Sequence, residues 1–229
     1  MLSSLTLNIF LLWGIVSVFS LFLLQVNDKF GPGVLWKFIN GRYHKPREEE
    51  RVFMFADMRS STTIAEKIGH KKYFNLLSDL FSDITNTILN YEGEIYQYVG
   101  DEIVISWPLK NGIKQANCLH CFLQIEQKLI ELAAKYEKNY GVRPELKAGL
   151  HHGKVMAGEI GVIKRDIIYS GDVLNTAARI QEQCNKYRVN LLISEETLAL
   201  LDTSSLDVRP MGSFDLRGKR QTLELYTIP

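Results

Sequence analysis

Cysteine and histidine are scarce in this chain, at three and five residues, and that limits its chemistry. Three cysteines make a poor disulfide framework, which fits a reducing compartment. Cys118 and Cys121 form a C-x-x-C, but no second pair follows and the run around them has helical character. Buried thiols are expected there rather than a zinc site. An excess of either charge is missing too. Lysine plus arginine number 27 against 26 acidic residues, a net charge of +1, and no basic stripe is concentrated anywhere. A nucleic-acid partner therefore has no electrostatic support. Internal repeats are absent, which argues against a solenoid or propeller.

What is present is unevenly distributed. From Leu5 to Val26 no residue carries a charge, and about 20 apolar residues suffice to cross the hydrocarbon core of a bilayer. No basic residue precedes this run and no A-x-A site follows it, so a membrane span is expected rather than a cleaved signal peptide. Lys29, Lys37, Arg42, Lys45, Arg47 and Arg51 follow the run. The positive-inside rule then puts the C-terminal side in the cytosol, as a single-pass protein of the cell membrane in this chain. The short start also suits the last span of a longer membrane protein. The division expected is a transmembrane helix over 1–26, a juxtamembrane linker over 27–50 and a globular domain over 51–229. Gly31, Pro32, Gly33, Gly41 and Pro46 punctuate the linker.

Inside the globular part, Val52 to Asp57 is a short apolar run flanked by charge and predicts a buried strand. Ser60 to Thr63, with Glu66 behind, predict a capped helix start, and Phe74, Leu77, Phe81, Ile84 and Ile88 continue an amphipathic helix to Gly93. Glu94–Val99 and Ile103–Trp107 predict a hairpin turning at Gly100–Asp101. A long helix is expected over about 112–139, then strands at 145–151 and 155–159 about Gly153. A helix over 172–184 and strands at 190–193, 206–210 and 222–227 complete the pattern. Such an order is an α+β domain with helices covering one mixed sheet.

Three segments carry chemistry. Asp57 closes a strand and Asp101 sits on a hairpin turn, so the two carboxylates meet if those strands are neighbours. Converging carboxylates raise each other's proton affinity unless a cation lies between them, and Mg²⁺ suits one or two carboxylates plus phosphate and water. Met58, Arg59, Ser60, Ser61 and Thr62 follow Asp57 at a helix start, where free N–H groups and hydroxyls favour an anion. Asn175 and Arg179, at i and i+4, share a helical face and suit a sugar and a phosphate. Each segment alone also has a plain reading, as a turn former, an ordinary cap or a solvated surface pair.

Together they are more specific. Phe55-Ala56-Asp57-Met58-Arg59-Ser60-Ser61-Thr62, then Tyr98-Val99-Gly100-Asp101-Glu102, then Gly171-Asp172-Val173-Leu174-Asn175-Thr176-Ala177-Ala178-Arg179 resemble the class III adenylyl and guanylyl cyclase catalytic domain. Lys147 to Val155 and Phe214 to Lys219 are similar to two further segments of that family. The resemblance implies a ferredoxin-like fold, preceded here by the one transmembrane helix, and a head-to-tail homodimer with active sites at the interface. It implies that Asp57 and Asp101 hold two Mg²⁺ or Mn²⁺ ions per active site. The backbone of residues 58–62, and Arg217, would contact phosphates, and Asn175 and Arg179 of the other copy would orient the ribose and stabilise charge on the α-phosphate. The substrate implied is a nucleoside triphosphate, ATP first.

Gln97 stands where adenylyl cyclases usually have a base-reading Lys, and Ile168 where its Asp or Thr partner stands. Arg217 replaces a phosphate-binding Lys. A Gln amide both donates and accepts, whereas Ile168 offers no side-chain hydrogen bond. Turnover of GTP or a pyrimidine triphosphate, or a catalytically silent nucleotide-binding domain, are the alternatives these departures leave.

Overall fold

The structure is a computed structural model that describes residues 4–30, 40–163, 165–204, 206–215 and 222–229. The chain forms two compact units, Met1–Arg47 with Ala157–Tyr169, and Glu48–Met156 with Ser170–Pro229.

In the first unit, helix α1 (Ser4–Phe30) contains a stretch, Asn8–Gln25, long and apolar enough to cross a membrane. The same unit holds a turn over 40–46 against the end of a long strand. The Glu159 amide donates to the Tyr43 carbonyl at 3.0 Å, and Tyr43 is buried.

The sheet is built from β1 (Arg47–Met58), β2 (Glu94–Val99), β3 (Glu102–Pro108), β4 (Leu146–Ile160), β5 (Asp166–Ser170), β6 (Leu191–Ser194), β7 (Arg209–Asp215) and β8 (Thr222–Thr227). Its order is β2-β3-β1-β4-β6-β8-β7, with β5 paired to β4. Strand β1 runs antiparallel to β3 with Asp57 opposite Glu102, and β4 runs parallel to β6. Val52 through Ala56 are all buried, as expected of a central strand covered on both faces. Strand β7 is at a sheet end, and Pro210 and a bulge at Gly212 (φ +100°) interrupt its ladder there.

The helices are α2 (Ser61–Ile68), α3 (His70–Asn90), α4 (Leu109–Ile113), α5 (Asn117–Glu131), α6 (Ala133–Tyr140), α7 (Asp172–Tyr187) and α8 (Glu195–Leu198). Leu76, Leu80, Ile84 and Ile88 of α3 and Leu119, Phe122 and Ile125 of α5 form one core with Val52, Met54, Ala56, Ile103, Ile105 and Trp107. A second core joins Ile180 and Cys184 of α7 to Leu192, Leu223 and Leu225.

Several expected elements are divided differently. The first amphipathic helix breaks at Gly69 (φ 80°, ψ 153°), a conformation open to glycine. The long helix over 112–139 is three pieces, because Gln115 and Ala116 take positive φ and Leu132 (φ −88°, ψ 2°) leaves the helical region. Conversely, β4 passes through Gly153 without a break. A Cβ there would lie 3.3 Å from Val173 of α7, so the glycine gives a helix room rather than turning the chain. Strand β5 was not expected, although Ile167-Ile168-Tyr169 is a short apolar run of the right kind.

Candidate active site

Local chemistry delivers the two carboxylates. The β2–β3 turn has glycine at its first central position, Gly100 with φ +63°, as a type II′ hairpin requires, and Asp101 occupies the second. Because β3 pairs with β1 in the register Asp57↔Glu102, the turn brings Asp101 beside the end of β1. Burial raises the proton affinity of Asp101. The adjacent Asp57 carboxyl adds to the rise, and the Ser61 hydroxyl offsets part of it. Glu102 is pushed up to about 7, first by burial and then by the charges of Asp57 and Asp101, with Lys147 acting the other way. The same acids, after burial, raise Tyr73, which shares the Ser61 hydroxyl.

A donor set of two converging carboxylates fits a divalent cation that completes its shell with phosphate and water. Among the described residues no cluster of three or more His, Cys, Asp or Glu side chains forms a complete protein cage.

Helix α2 begins beside these acids. Ser60, in the left-handed region (φ 54°, ψ 31°), makes no side-chain cap bond, contrary to the capping expected. The first-turn amides of Ser61, Thr62 and Thr63 therefore keep the N-terminal donor character of a helix. The Met58 side chain is buried, which leaves only its backbone for a ligand. Arg59 is bonded within the fold. Its Nε donates to Asn190 Oδ1 at 2.7 Å, its guanidinium also bonds the Val189 carbonyl, and its amide donates to Glu145 O at 2.8 Å. Arg59 ties the start of α2 to the connection before β6.

Helix α7 packs on β4 at Gly149, where a Cβ would lie 2.5 Å from Ala177 O. Small residues on that face permit the approach. Gln181, buried, donates through Nε2 to Asp57 Oδ2 at 3.2 Å. At about 100° per residue, Asn175 and Arg179 lie about 120° and 160° around the helix from Gln181. Asn175 is exposed and Arg179 half-buried. One face of α7 thus holds Asp57 while the predicted pair faces elsewhere. Gln97 is exposed on β2, and Ile168 is half-buried on β5. Arg217 lies outside the described residues.

The family whose sequence model matches is described as the adenylate and guanylate cyclase catalytic domain, and the match covers residues 43–229. The chain belongs to this family. The chain is 36% identical over 209 residues to adenylate cyclase 2 of Rhizobium meliloti (strain 1021), covering 91% of this chain and 58% of that protein. The chain thus spans 58% of that relative's length. A bacterial light-regulated adenylyl cyclase structure superposes with TM-score 0.79 at 22% identity, covering 95% of this chain and 64% of that one. The guanylate cyclase domain of RhGC from Catenaria anguillulae, solved in complex with GTP, has TM-score 0.66 at 18% identity, covering 80% and 98%. The fold expected from the motifs, a mixed sheet covered by helices, is the fold of these structures.

Three residues of the cyclase domain's acidic centre escaped sequence reasoning. Lys147 on β4 places Nζ 3.0 Å from Asp57 Oδ2. Gln181 shares that oxygen, and Glu102 adds a third acid. Two of them carried a signal, since Lys147 sits among the small and apolar residues 146–150 of β4 and Gln181 interrupts the small, apolar face of α7; buried polar groups need partners. His151 and His152 join a hydroxyl network. His151 Nδ1 lies 2.7 Å from Ser194 Oγ, and His152 Nδ1 3.1 Å from Thr197 Oγ1. Cys118 and Cys121 are buried free thiols, with burial pushing Cys118 up to about 12.

Proposed function

We propose that this cyclase domain converts ATP to 3′,5′-cyclic AMP and pyrophosphate at sites formed between two head-to-tail copies, tethered to the cytosolic side of a membrane by α1. The observation that carries this reading is the meeting of Asp57 and Asp101 beside the N-terminus of α2. Asp57 and Asp101 would hold two divalent cations, Mg²⁺ or Mn²⁺. Bound there, the cations would neutralise triphosphate charge and lower the proton affinity of the ribose 3′-hydroxyl. The first-turn amides of α2, with the backbone at Met58, bind phosphate oxygens. The 3′-oxygen attacks the α-phosphorus in line, the bond to the β-phosphate breaks, pyrophosphate leaves with that electron pair, and the hydroxyl proton goes to solvent.

Asn175 and Arg179 serve the other copy's site. Their displacement around α7 from the face that holds Asp57 supports this division, since one helix cannot present both faces to one carboxylate pair. Asn175 orients the ribose, and Arg179 stabilises charge at the α-phosphate. The apolar stretch in α1 and the basic residues after it support the membrane tether.

Mixing two inactive variants tests the shared site. Asp57→Ala and Arg179→Ala each abolish nearly all turnover. Random pairing of equal amounts into symmetric dimers restores about a quarter of wild-type sites, because each mixed dimer keeps one intact site. No recovery while both variants still dimerise refutes the arrangement. Gln97 and Ile168 favour a second reading in which another base is accepted. Incubation with Mn²⁺ and ATP, GTP, CTP or UTP in turn decides between them, and a product from any one also excludes a silent domain.

A further inference from the structure

We infer that Gln181 is a positioning residue for the metal carboxylate of its own chain, so that α7 serves two sites at once. The inference rests on the two-copy site proposed above. Two donors from different elements, Lys147 of β4 and Gln181 of α7, converge on one oxygen of Asp57, Oδ2, at 3.0 and 3.2 Å. Both are buried, Gln181 at 4% exposure and Lys147 at 9%. A carboxylate held by two donors on one oxygen has its plane and rotamer set, and it offers Oδ1 to a cation. Ligating carboxylates that lose such a partner typically lose about 10–100-fold in metal affinity or activity.

The origin of the second donor matters. Helix α7 lies against β4 at Gly149, where no Cβ fits, and Gln181 itself contributes the backbone atom nearest to that absent Cβ, its amide nitrogen at 2.4 Å. The Gln181 backbone, from which the side-chain amide reaches Asp57, therefore cannot shift relative to β4 without unseating the helix. On its other side the same helix carries Asn175 and Arg179. Order at Asp57 in one site and placement of Asn175 and Arg179 in the other are thus two consequences of one helix position.

A cis–trans experiment on full-length chain in detergent separates this role from general packing. The mixed dimer of Asp57→Ala and Arg179→Ala copies has one working site. It takes Asp57 from the Arg179→Ala copy and Asn175 and Arg179 from the Asp57→Ala copy. Gln181→Leu added to the Arg179→Ala copy lowers recovered turnover about tenfold. The same change in the Asp57→Ala copy, where Gln181 has no carboxylate to hold, lowers it by less than about twofold. Equal losses in both arrangements, or loss only in the Asp57→Ala copy, overturn the inference, because they place the effect on Asn175 and Arg179.

A second readout avoids turnover. Mn²⁺ titration of otherwise unmodified chain, followed by the rise in melting midpoint, requires about tenfold more Mn²⁺ for Gln181→Leu and for Gln181→Met. Unchanged Mn²⁺ dependence in both variants overturns the inference. If the unmodified mixed pair recovers nothing, the shared-site reading fails separately, and this titration still decides whether Gln181 positions Asp57.

Discussion

Gly149→Ala is the sharpest test of how this fold supports its site. The added Cβ would stand 2.4 Å from Gln181 N, 2.5 Å from Ala177 O and 2.9 Å from Gln181 Cα. All three are backbone atoms of α7, so no side-chain rotation relieves the clash. Carbon contacts settle at about 3.5 Å or more, and the helix must retreat by roughly 1 Å. Overpacking of a core typically costs about 1–3 kcal/mol, and a purely backbone clash belongs at the upper end, about 3 kcal/mol. For a domain of this size each kcal/mol moves the melting midpoint by about 2–4 °C, so the loss is about 6–12 °C. Gly153→Ala is the control. Its Cβ meets only the Val173 side chain, at 3.3 Å, and its cost stays below about 1 kcal/mol. Thermal and urea unfolding of both variants measures the difference. The same retreat stretches the 3.2 Å bond from Gln181 to Asp57, so residual folded Gly149→Ala also loses turnover. A Gly149→Ala variant within about 0.5 kcal/mol of wild type, or one no worse than Gly153→Ala, refutes the packing argument.

Further tests follow from individual side chains. Glu102, raised from 4.5 to about 7 by burial and then by Asp57 and Asp101, favours the folded state fully below pH 4.5, and that contribution is lost as pH rises through about 7. In metal-free protein, Glu102→Gln flattens the fall of the melting midpoint between about pH 5 and pH 8; parallel curves would contradict the assignment. Arg59→Ala removes bonds to Asn190 and Val189 and costs about 1.5–3 kcal/mol of stability. The triphosphate KM of the folded fraction stays within about twofold, and a KM rise without loss of stability would restore Arg59 to the phosphate site. Cys118, Cys121 and Cys184 are buried, and burial pushes Cys118 and Cys184 up to about 12. A thiol reagent therefore labels them only upon unfolding, and fast labelling of native protein would show that this core opens.

Much of the carboxylate centre was legible because it depends on short-range chemistry. An apolar strand ending in Asp57 and a glycine-turned hairpin carrying Asp101 are both local patterns, and their pairing needed only that the two strands be neighbours. The same holds for α7, whose i, i+4 pair and small-residue face follow helical periodicity. The division of the helices was less legible. Asn111-Gly112 stands just before Gln115 and Ala116, but the break falls on the two positive-φ residues themselves, and nothing beside Leu132 resembles a breaker. The partners of the Arg59 side chain, Asn190 and Val189, were not legible for a related reason, since both are remote in sequence.

The amino-acid order by itself determined where the apolar stretch lies, which segments form the central strands and the hairpin, and which family's motifs the chain carries. These features are written in periodicity and turn chemistry over a few residues. Only the tertiary structure decided that Lys147 and Gln181 close on one oxygen of Asp57, that Gly149 exists to seat α7, and that Arg59 bonds Asn190. Those outcomes depend on ångström-scale distances between elements far apart in the chain, and local pattern does not encode such distances.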